Sequence, residues 1–299
     1  MSIRVKEKEK ADLEYNMLVG VLENINDLTY LESYLDLILI RSKSFSSYYT
    51  NTFELDEIIN ISKLTKRNIL LDISIMLENK DINLLDEIIS KLKDYQNIYY
   101  LYMDLGLYNV LKKYNIENKG IYDPRTLITN NLDCKFYLDY NMLSVGISNE
   151  ITVSDMQKII KDNDSKVFLR AFGYHQMFYS KRRLISLYGE HIKKNIEIDN
   201  LNMYLKEDKR EDFYHIFESN KGTLIFRPYI LSYLDEILDL NPKFVFLDDI
   251  FMDKNDYFKV IKLFDAKFKE KTLDYTLSDL KLTLNDGFKY KDTVYQKEK

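Results

Sequence analysis

The segment from residue 165 to residue 186, SKVFLRAFGYHQMFYSKRRLIS, contains the densest set of chemically capable side chains in the chain. Its first part, through Val167, Phe168 and Leu169, is typical of a strand that is buried on both faces. Groups that can bind an anion, stack on a ring or exchange a proton follow Gly173: they are Tyr174, His175, Gln176, Tyr179, Ser180, Lys181, Arg182 and Arg183. Such groups between a strand and a helix indicate a site at the carboxyl end of an α/β sheet. A surface loop with ordinary basic residues is the alternative interpretation.

The three cations at residues 181–183 lie near the aromatic residues Tyr174, Phe178 and Tyr179 in the sequence. Cations beside aromatic faces bind phosphate and stack on bases in RNA-binding proteins. The same groups can clamp a small dicarboxylate through bidentate arginine contacts. A solvated helix start is the structural alternative, although cations at a helix N-terminus oppose the helix dipole. The segment therefore predicts a binding site for phosphate or carboxylate.

Several acidic residues follow strand-like runs, where they could act as an acid, a base or a metal ligand. Asp104, Glu150 and Asp248 are the candidates for catalysis, and His175 is the candidate histidine because of its place in the segment described above. Helix capping is the alternative for such carboxylates, and we favour it for Asp123 and Glu150. The histidines form no HExxH or Cys/His pattern, and Ser180 has no evident base partner. The motifs therefore favour neither a metal site nor a protease.

Composition restricts the class of protein. Hydrophobic residues make up 45% of the 299 residues and charged residues 30%, as in ordinary globular proteins. The net charge of -5 argues against a globally basic nucleic-acid coat but allows a local basic patch. Cys134 is the single cysteine, so this chain alone cannot bind an iron–sulfur cluster. The charged start of the sequence and the lack of a long apolar run predict a cytoplasmic protein that does not enter a membrane.

Eight short apolar runs alternate with amphipathic segments, which predicts a (β/α)8 TIM-like barrel over residues 1–270. An open doubly wound sheet is the alternative. Alternating polar strands predict an antiparallel insertion at about residues 195–228, between strands seven and eight, followed by a helix at residues 229–240. Residues 271–299 are predicted to pack on the barrel as a C-terminal extension.

In a barrel, the polar residues at the strand ends converge on one face. They are Glu23, Arg41, Asp104, Asp123, Glu150, the segment from Arg170 to Ser180, and Asp248. Asp248 and its neighbour Asp249 belong to an apolar run, so strand alternation predicts that one faces the barrel interior and the other faces the helices.

The chain resembles the collagenase-like peptidase family, family U32. The resemblance is sharpest at MFYSKRRLIS, residues 177–186, and at NDGFKYKDTVYQ, residues 285–296. MDLG at residues 103–106, Thr129 with Asn130, Glu150 and FVFLDDI also match the family pattern. Phe172 replaces the histidine of a His-Gly pair, Asn149 replaces an arginine, and Gln176 and Arg183 stand where the family has cysteines. The chain is thus similar to a short, cysteine-free branch.

The resemblance implies hydroxylation more than proteolysis, because several family members take part in oxygen-independent hydroxylation. It implies a barrel subunit that forms 5-hydroxyuridine at the tRNA wobble position, with prephenate as a possible co-substrate. An iron–sulfur cluster would then belong to a longer, cysteine-bearing family member acting as a partner. The expected catalytic residues are Asp104, Glu150, His175 and Asp248, and the expected substrate-binding residues are Asn130, Arg170, Tyr179, Ser180, Lys181, Arg182 and Arg183. A collagenase-like peptidase and a non-catalytic scaffold subunit are the alternatives.

Overall fold

The computed structural model describes residues 16–48, 50–209 and 211–291. Within these ranges twelve strands follow one another along the chain. They are β1 (Met17–Val21), β2 (Leu37–Ser42), β3 (Thr52–Phe53), β4 (Asn68–Ile73), β5 (Ile98–Tyr102), β6 (Gly120–Tyr122), β7 (Ser144–Gly146), β8 (Val167–Ser180), β9 (Tyr204–Lys206), β10 (Phe213–Ser219), β11 (Gly222–Ser232) and β12 (Phe244–Leu247).

Eight of these strands form a closed parallel ring in the order β12, β1, β2, β4, β5, β6, β7 and β8. The ring closes because β12 pairs in parallel with both of its neighbours: Phe244 lies opposite Met17 of β1 and opposite Phe168 of β8. An open sheet would leave two unpaired edges, so this pairing excludes it. The predicted (β/α)8 barrel is confirmed.

Helices connect the strands and cover the outside of the ring. Those of the described residues are α1 (Leu28–Leu31), α2 (Leu55–Leu64), α3 (Asn79–Leu92), α4 (Leu105–Lys113), α5 (Asn131–Leu138), α6 (Val153–Asp162), α7 (Leu184–His191), α8 (Ile237–Leu240) and α9 (Lys254–Phe268). In α6, Thr152 caps the N-terminus and Met156, Ile159 and Ile160 form the buried stripe. Spacing of three and four residues places such side chains on one helix face, toward the sheet. Across the described ranges, no helix is long and apolar enough to cross a bilayer.

The predicted antiparallel insertion is confirmed, and it begins within β8 itself. β8 continues beyond the ring to Ser180 and pairs antiparallel with β11, which pairs with β10, and β10 with β9. Residues 173–180 are therefore part of a strand and not a loop. The predicted helix at residues 229–240 is wrong over most of its length, since β11 runs to Ser232 and only Ile237–Leu240 is helical. Pairing with β8 provides hydrogen-bond partners for the backbone N–H and C=O groups of this apolar segment. That long-range contact overrides the helical spacing of its apolar residues.

Polar contacts attach the peripheral segments to the barrel. Lys221, in the turn between β10 and β11, donates from Nζ to the backbone oxygen of Ser46 at 2.9 Å. Residues 271–291 pack on the outside, where Val153 N donates to Lys289 O at 2.9 Å and Lys289 pairs with Glu236 at 2.7 Å. The Thr-Val-Tyr sequence of the family resemblance, at residues 293–295, lies outside the described residues.

Candidate active site at the mouth of the barrel

A cluster of buried charges occupies the carboxyl ends of the ring strands. Arg41 ends β2, Asp72 belongs to β4, Asp123 follows β6, Arg170 belongs to β8 and Asp248 follows β12. All five are buried. Burying charges is costly unless they are paired, so the contacts of Arg41 and Arg170 with Asp123 and Asp248 are necessary for this arrangement. Asp72 instead accepts a hydrogen bond from the Ser46 hydroxyl. The predicted convergence of strand ends therefore produces a compact ionic network.

Arg41 binds both members of the Asp248–Asp249 pair. Its Nη1 donates to Asp249 Oδ2 at 3.2 Å, its Nη2 donates to Asp248 Oδ1 at 3.2 Å, and Nη2 also forms a close contact with Asp249 Oδ1. The prediction that the two carboxylates face opposite sides is wrong. β12 ends at Leu247, so strand alternation no longer applies to the two residues that follow.

Arg170 joins the other side of the network. It donates from Nε to Asp123 Oδ2 at 2.8 Å and from Nη1 to Asp248 Oδ2 at 3.2 Å, while Arg125 Nη1 lies 3.6 Å from Asp123 Oδ2. Burial opposes ionisation of Asp123, but the charges of Arg170 and Arg125 outweigh it and hold the pKa of this carboxyl below its usual value. Asp123, expected to be a cap, is instead an ionised member of the network. For Asp248, burial prevails and raises the pKa.

A large cavity of about 820 Å³ opens between this network and the antiparallel strands. Aromatic rings line one side: Tyr174, Tyr204, Phe213, His215 and Phe251. Glu23, Arg41 and Asp249 form its charged floor. The His215 and Phe251 rings are stacked, with centroids 4.2 Å apart and an angle of 11° between them. The left-handed backbone of Phe251, with φ of 60°, is costly for a bulky residue and is found mainly at functional sites.

Among the lining residues of this cavity, the pKa shifts of Glu23 and His215 bear on its chemistry at neutral pH. Burial, together with a hydrogen bond to Asp249 and the charge of that carboxylate, raises the pKa of Glu23 to about 7. Glu23 can therefore exchange a proton near neutral pH, which is the property of a general acid or base. Burial lowers the pKa of His215 to about 4, so its planar imidazole ring is uncharged at neutral pH. The cavity thus combines stacking surfaces with a proton-exchanging carboxyl group.

The structure brings Arg170, Asp248, His175 and Glu150 to the same end of the barrel. The first two belong to the ionic network. His175 and Glu150 line a second, small cavity beside it, together with Arg125 and Arg227 among others. Glu150 pairs closely with Arg227.

The other predicted residues line neither cavity. Asp104 caps α4, since its Oδ1 accepts from Gly106 N at 2.8 Å and its Oδ2 from Leu77 N at 2.9 Å. Asn130 caps α5 and accepts from Asp133 N at 3.0 Å. Tyr179 donates to the backbone oxygen of Lys221 at 3.0 Å. The roles proposed for these residues in substrate binding and catalysis stay predictions.

The basic run lies at the far end of β8. Ser180 Oγ accepts from Arg182 N at 3.2 Å, and Lys181 pairs with Glu78 at 2.8 Å. Arg182 is exposed, and Arg183 Nε lies 3.6 Å from the buried carboxylate of Glu218. Glu218 also accepts from the first backbone amides of α7, and its negative charge compensates for cations at this helix N-terminus.

Several lining residues were not singled out from the sequence. Arg125 and Arg227 surround His175, and the rings of Tyr204, His215 and Phe251 form the aromatic wall. Arg125 follows a predicted strand directly, so its position was a usable signal. Tyr204 and His215 belong to the antiparallel strands β9 and β10, where strand pairing decides which side chains face the barrel, and Phe251 follows β12.

Neither a metal centre nor a reactive thiol is evident. In the described ranges, no group of three or more His, Cys, Asp or Glu side chains could hold a metal ion. Cys134 is buried in α5, and burial raises its thiol pKa to about 12. This thiol is therefore a core side chain with little thiolate character at neutral pH.

Comparison with known proteins places these features in a family. The chain is 22% identical over 196 residues to tRNA hydroxylation protein P2 of Bacillus subtilis (strain 168), a match that spans 58% of this chain and 63% of that protein. A solved U32 peptidase is 12% identical, covering 79% of this chain and 93% of its own, with a TM-score of 0.48. N-(5'-phosphoribosyl)anthranilate isomerase from Pyrococcus furiosus is 10% identical, covering 86% and 100%, with a TM-score of 0.48. The family model of peptidase family U32 matches residues 29–270. The chain belongs to peptidase family U32.

Proposed function

We propose that this chain takes part in the hydroxylation of the tRNA wobble uridine to 5-hydroxyuridine, in the cytoplasm and with prephenate as the hydroxyl source. Family membership and the relation to a tRNA hydroxylation protein support this proposal. The chain has one cysteine, so a longer, cysteine-bearing family member would supply any iron–sulfur cluster. The match covers less than two thirds of that relative, and the proposal therefore rests chiefly on the chemistry of the site.

The large cavity is the observation that carries the proposal. Enzymes that modify a base take it out of the stack and bind it between aromatic side chains, with polar groups that recognise its edge. The rings of Tyr174, Tyr204 and Phe213 and the stacked pair His215–Phe251 supply such faces. A cavity of about 820 Å³ falls within the usual range of about 300–1,000 Å³ for small-molecule pockets.

The floor of the cavity suits the edge of a uracil ring. Uracil presents two carbonyl acceptors on either side of one N–H donor, so its partner must offer both donors and an acceptor. Arg41 supplies donors, including an Nε that has no hydrogen-bond partner in the part of the chain described. Asp249 supplies acceptors, and Glu23 can give or take a proton.

Contacts to tRNA phosphates would come from the basic run at residues 181–183. Arg182 is exposed and makes no side-chain ion pair within the described ranges, so its guanidinium is available for phosphate. Because the whole chain carries a net charge of -5, we expect the phosphate contacts to be confined to this run.

The two alternatives, a scaffold subunit and a peptidase, predict different side chains at the barrel mouth. A scaffold subunit that lacks chemistry is expected to fill the barrel mouth with apolar side chains, whereas Glu23, Arg41 and Asp249 line it here. A peptidase using a carboxylate and a metal would require grouped ligands, and no such group occurs among the residues described. Hydroxylation of a base is the function that the aromatic and ionic lining supports best.

Mass spectrometry of tRNA nucleosides tests the proposal in a strain that lacks this gene and its paralogues. Wild-type protein and the Lys63→Gln variant, altered at an exposed cation on α2, are expected to restore 5-hydroxyuridine and its derivatives. His215→Ala and the double variant Arg182→Ala with Arg183→Ala are expected not to restore them at matched protein levels. Unchanged nucleosides in the deleted strain, or full restoration by His215→Ala, would contradict the proposal.

A further inference from the structure

A small cavity of about 10 Å³ lies on the other side of β8 from the aromatic cavity. Tyr174 and His175 are consecutive in β8, so their side chains point to opposite faces and line different cavities. Four buried polar atoms of three lining residues have no hydrogen-bond partner in the described structure: they are His175 Nδ1, His175 Nε2, Gln176 Oε1 and Arg125 Nε. Native proteins leave few such atoms unpaired, and a group of them around one cavity provides partners for a small polar ligand.

An irregular strand pairing directs these groups into the cavity. Gln176 pairs with Phe226 and Tyr174 with Ile230, so the single residue His175 faces the three residues 227–229 of β11. Bulges of this kind re-aim side chains and are common next to active sites. Arg125 adds a second special feature, since its backbone has a φ of 65°. Backbone strain of this kind persists where the surrounding structure enforces it, often at ligand sites.

The cavity has an excess of buried donors. Arg125, Arg170 and Arg227 are all buried and contribute three guanidinium groups to its wall. Arg170 is neutralised by Asp123 and Asp248, and Arg125 lies 3.6 Å from Asp123. Arg227 pairs with Glu150, whose side chain is 36% exposed, whereas that of Arg227 is 7% exposed. Glu150 is thus the more accessible half of the pair.

His175 is a neutral ring in this environment. Its burial, followed by the charges of Arg170, Arg227 and Arg125, lowers its pKa well below the usual value. A neutral imidazole offers one donor and one acceptor. With Gln176 Oε1 as a second acceptor, the cavity needs a ligand that both accepts from arginine and donates to an acceptor.

We propose that this cavity is a binding site for a small hydroxy acid, whose carboxylate replaces that of Glu150 on Arg227 and also accepts from Arg125. The hydroxyl group of the ligand donates to Gln176 Oε1 or to the imidazole of His175. Arginine is the side chain best suited to such bidentate recognition of a carboxylate. The site concerns binding by this chain alone, so it stands independently of the proposed reaction on tRNA.

The volume of the cavity explains why Glu150 must move. A space of about 10 Å³ holds about one water-sized group, which is less than a carboxylate requires. Rotation of the half-exposed Glu150 side chain toward solvent adds the volume of its own carboxylate and frees Arg227. The carboxylate of Glu150 therefore occupies the position on Arg227 that the ligand carboxylate would take.

Isothermal titration calorimetry of the full chain tests this site with three probes: glycolate, acetate and inorganic phosphate. We expect glycolate to bind in the millimolar range, as the small size of the molecule allows. Acetate lacks the hydroxyl group and is expected to bind several-fold more weakly. Arg125→Gln and His175→Ala are expected to weaken glycolate binding by about tenfold or more, because each removes a buried partner. Lys63→Gln is the matched control on an exposed cation.

Misfolding could also explain a loss of binding in these variants. Glu150→Gln excludes that explanation, because it is expected to tighten glycolate binding. The neutral amide competes less well for Arg227, and a misfolded variant cannot gain affinity. The proposal would be overturned if wild-type protein bound no carboxylate in the millimolar range, or if Glu150→Gln bound glycolate no more tightly. Equal affinities for glycolate and acetate would remove the role of the hydroxyl group, and tighter binding of phosphate would overturn the carboxylate assignment.

Discussion

Arg41 and Asp249, which are 208 residues apart in the chain, are joined by two guanidinium–carboxylate contacts across the mouth of the barrel. Their side chains are each 1% exposed. Arg41 lies in β2 and Asp249 follows β12, so the pair links an early strand to the strand that closes the ring. The same two groups form part of the floor of the aromatic cavity, so the contact joins the closure of the ring to the lining of that cavity.

Replacing Arg41 by methionine tests the structural part of this contact. The change leaves the buried carboxylate of Asp249 without its cation and leaves Asp248 with Arg170 alone, and we expect a loss of about 3–5 kcal/mol in the free energy of unfolding. Lys43→Met is the control, because Lys43 and Glu54 form an exposed pair with side chains 61% and 57% exposed. Its expected cost is below about 1 kcal/mol. Urea denaturation measures both, and equal losses would refute the assigned importance of the buried network.

Glu23 is expected to make stability depend on pH. Its pKa is about 7 in the folded protein, above its ordinary value of 4.5, so the folded state binds this proton more tightly than the unfolded state does. Stability linked to this group is fully present below pH 4.5 and declines as the pH rises toward 7. Glu23→Gln lacks this titration, and we expect it to gain stability relative to wild type over this pH interval. Urea denaturation at several pH values measures the difference, and a difference that does not change with pH would contradict the raised pKa.

Gly173 holds β8 close to Asp248. Its φ is 131°, and a Cβ atom at this position would lie 2.8 Å from Asp248 Cβ. We expect Gly173→Ala to cost about 1–3 kcal/mol through backbone strain and to displace Asp248 from its arginine partners. Gly106→Ala is the control, since the φ of Gly106 is not positive and its nearest contacts would be 3.1 Å. Thermal unfolding followed by circular dichroism compares the two variants, and a similar fall in melting temperature would argue against a special role for Gly173.

Tyr204 provides a test of base stacking with little risk to the fold. It lies on the edge strand β9, is 47% exposed and has its ring centroid 4.7 Å from that of His215. If it stacks on a base, Tyr204→Ala is expected to weaken RNA binding by about 1–3 kcal/mol. Fluorescence anisotropy with a labelled anticodon stem–loop measures the affinity. Phe136→Ala, at an exposed ring on α5, is the control, and an equal effect of both changes would exclude the aromatic cavity as the binding site.

Arg182 is expected to act through phosphate and not through base recognition. Arg182→Ala should weaken binding of the same stem–loop uniformly across sequences and lower the slope of log affinity against log salt by about 1. Anisotropy titrations at several salt concentrations give this slope. An unchanged slope would show that Arg182 makes no phosphate contact.

The sequence by itself determined the barrel and the convergence of Arg41, Asp123, Arg170 and Asp248. Strands covered on both faces must be apolar almost throughout, so their runs can be recognised without knowledge of their neighbours. Eight such runs alternating with amphipathic segments leave few possible architectures. Once the barrel is inferred, the carboxyl ends of its strands must meet, and the polar residue at each end is known.

Only the tertiary structure decided how β8 continues, which carboxylates share Arg41, and which rings and arginines line the two cavities. These features depend on strand register and on the bulge opposite His175, where a shift of one residue exchanges the faces of a strand. That register cannot be predicted from local sequence, because it arises from pairing between residues that are far apart in the chain. Asp104 is a further case: its role in catalysis stays a prediction, and only the structure shows that its two oxygens accept from the backbone amides of Gly106 and Leu77.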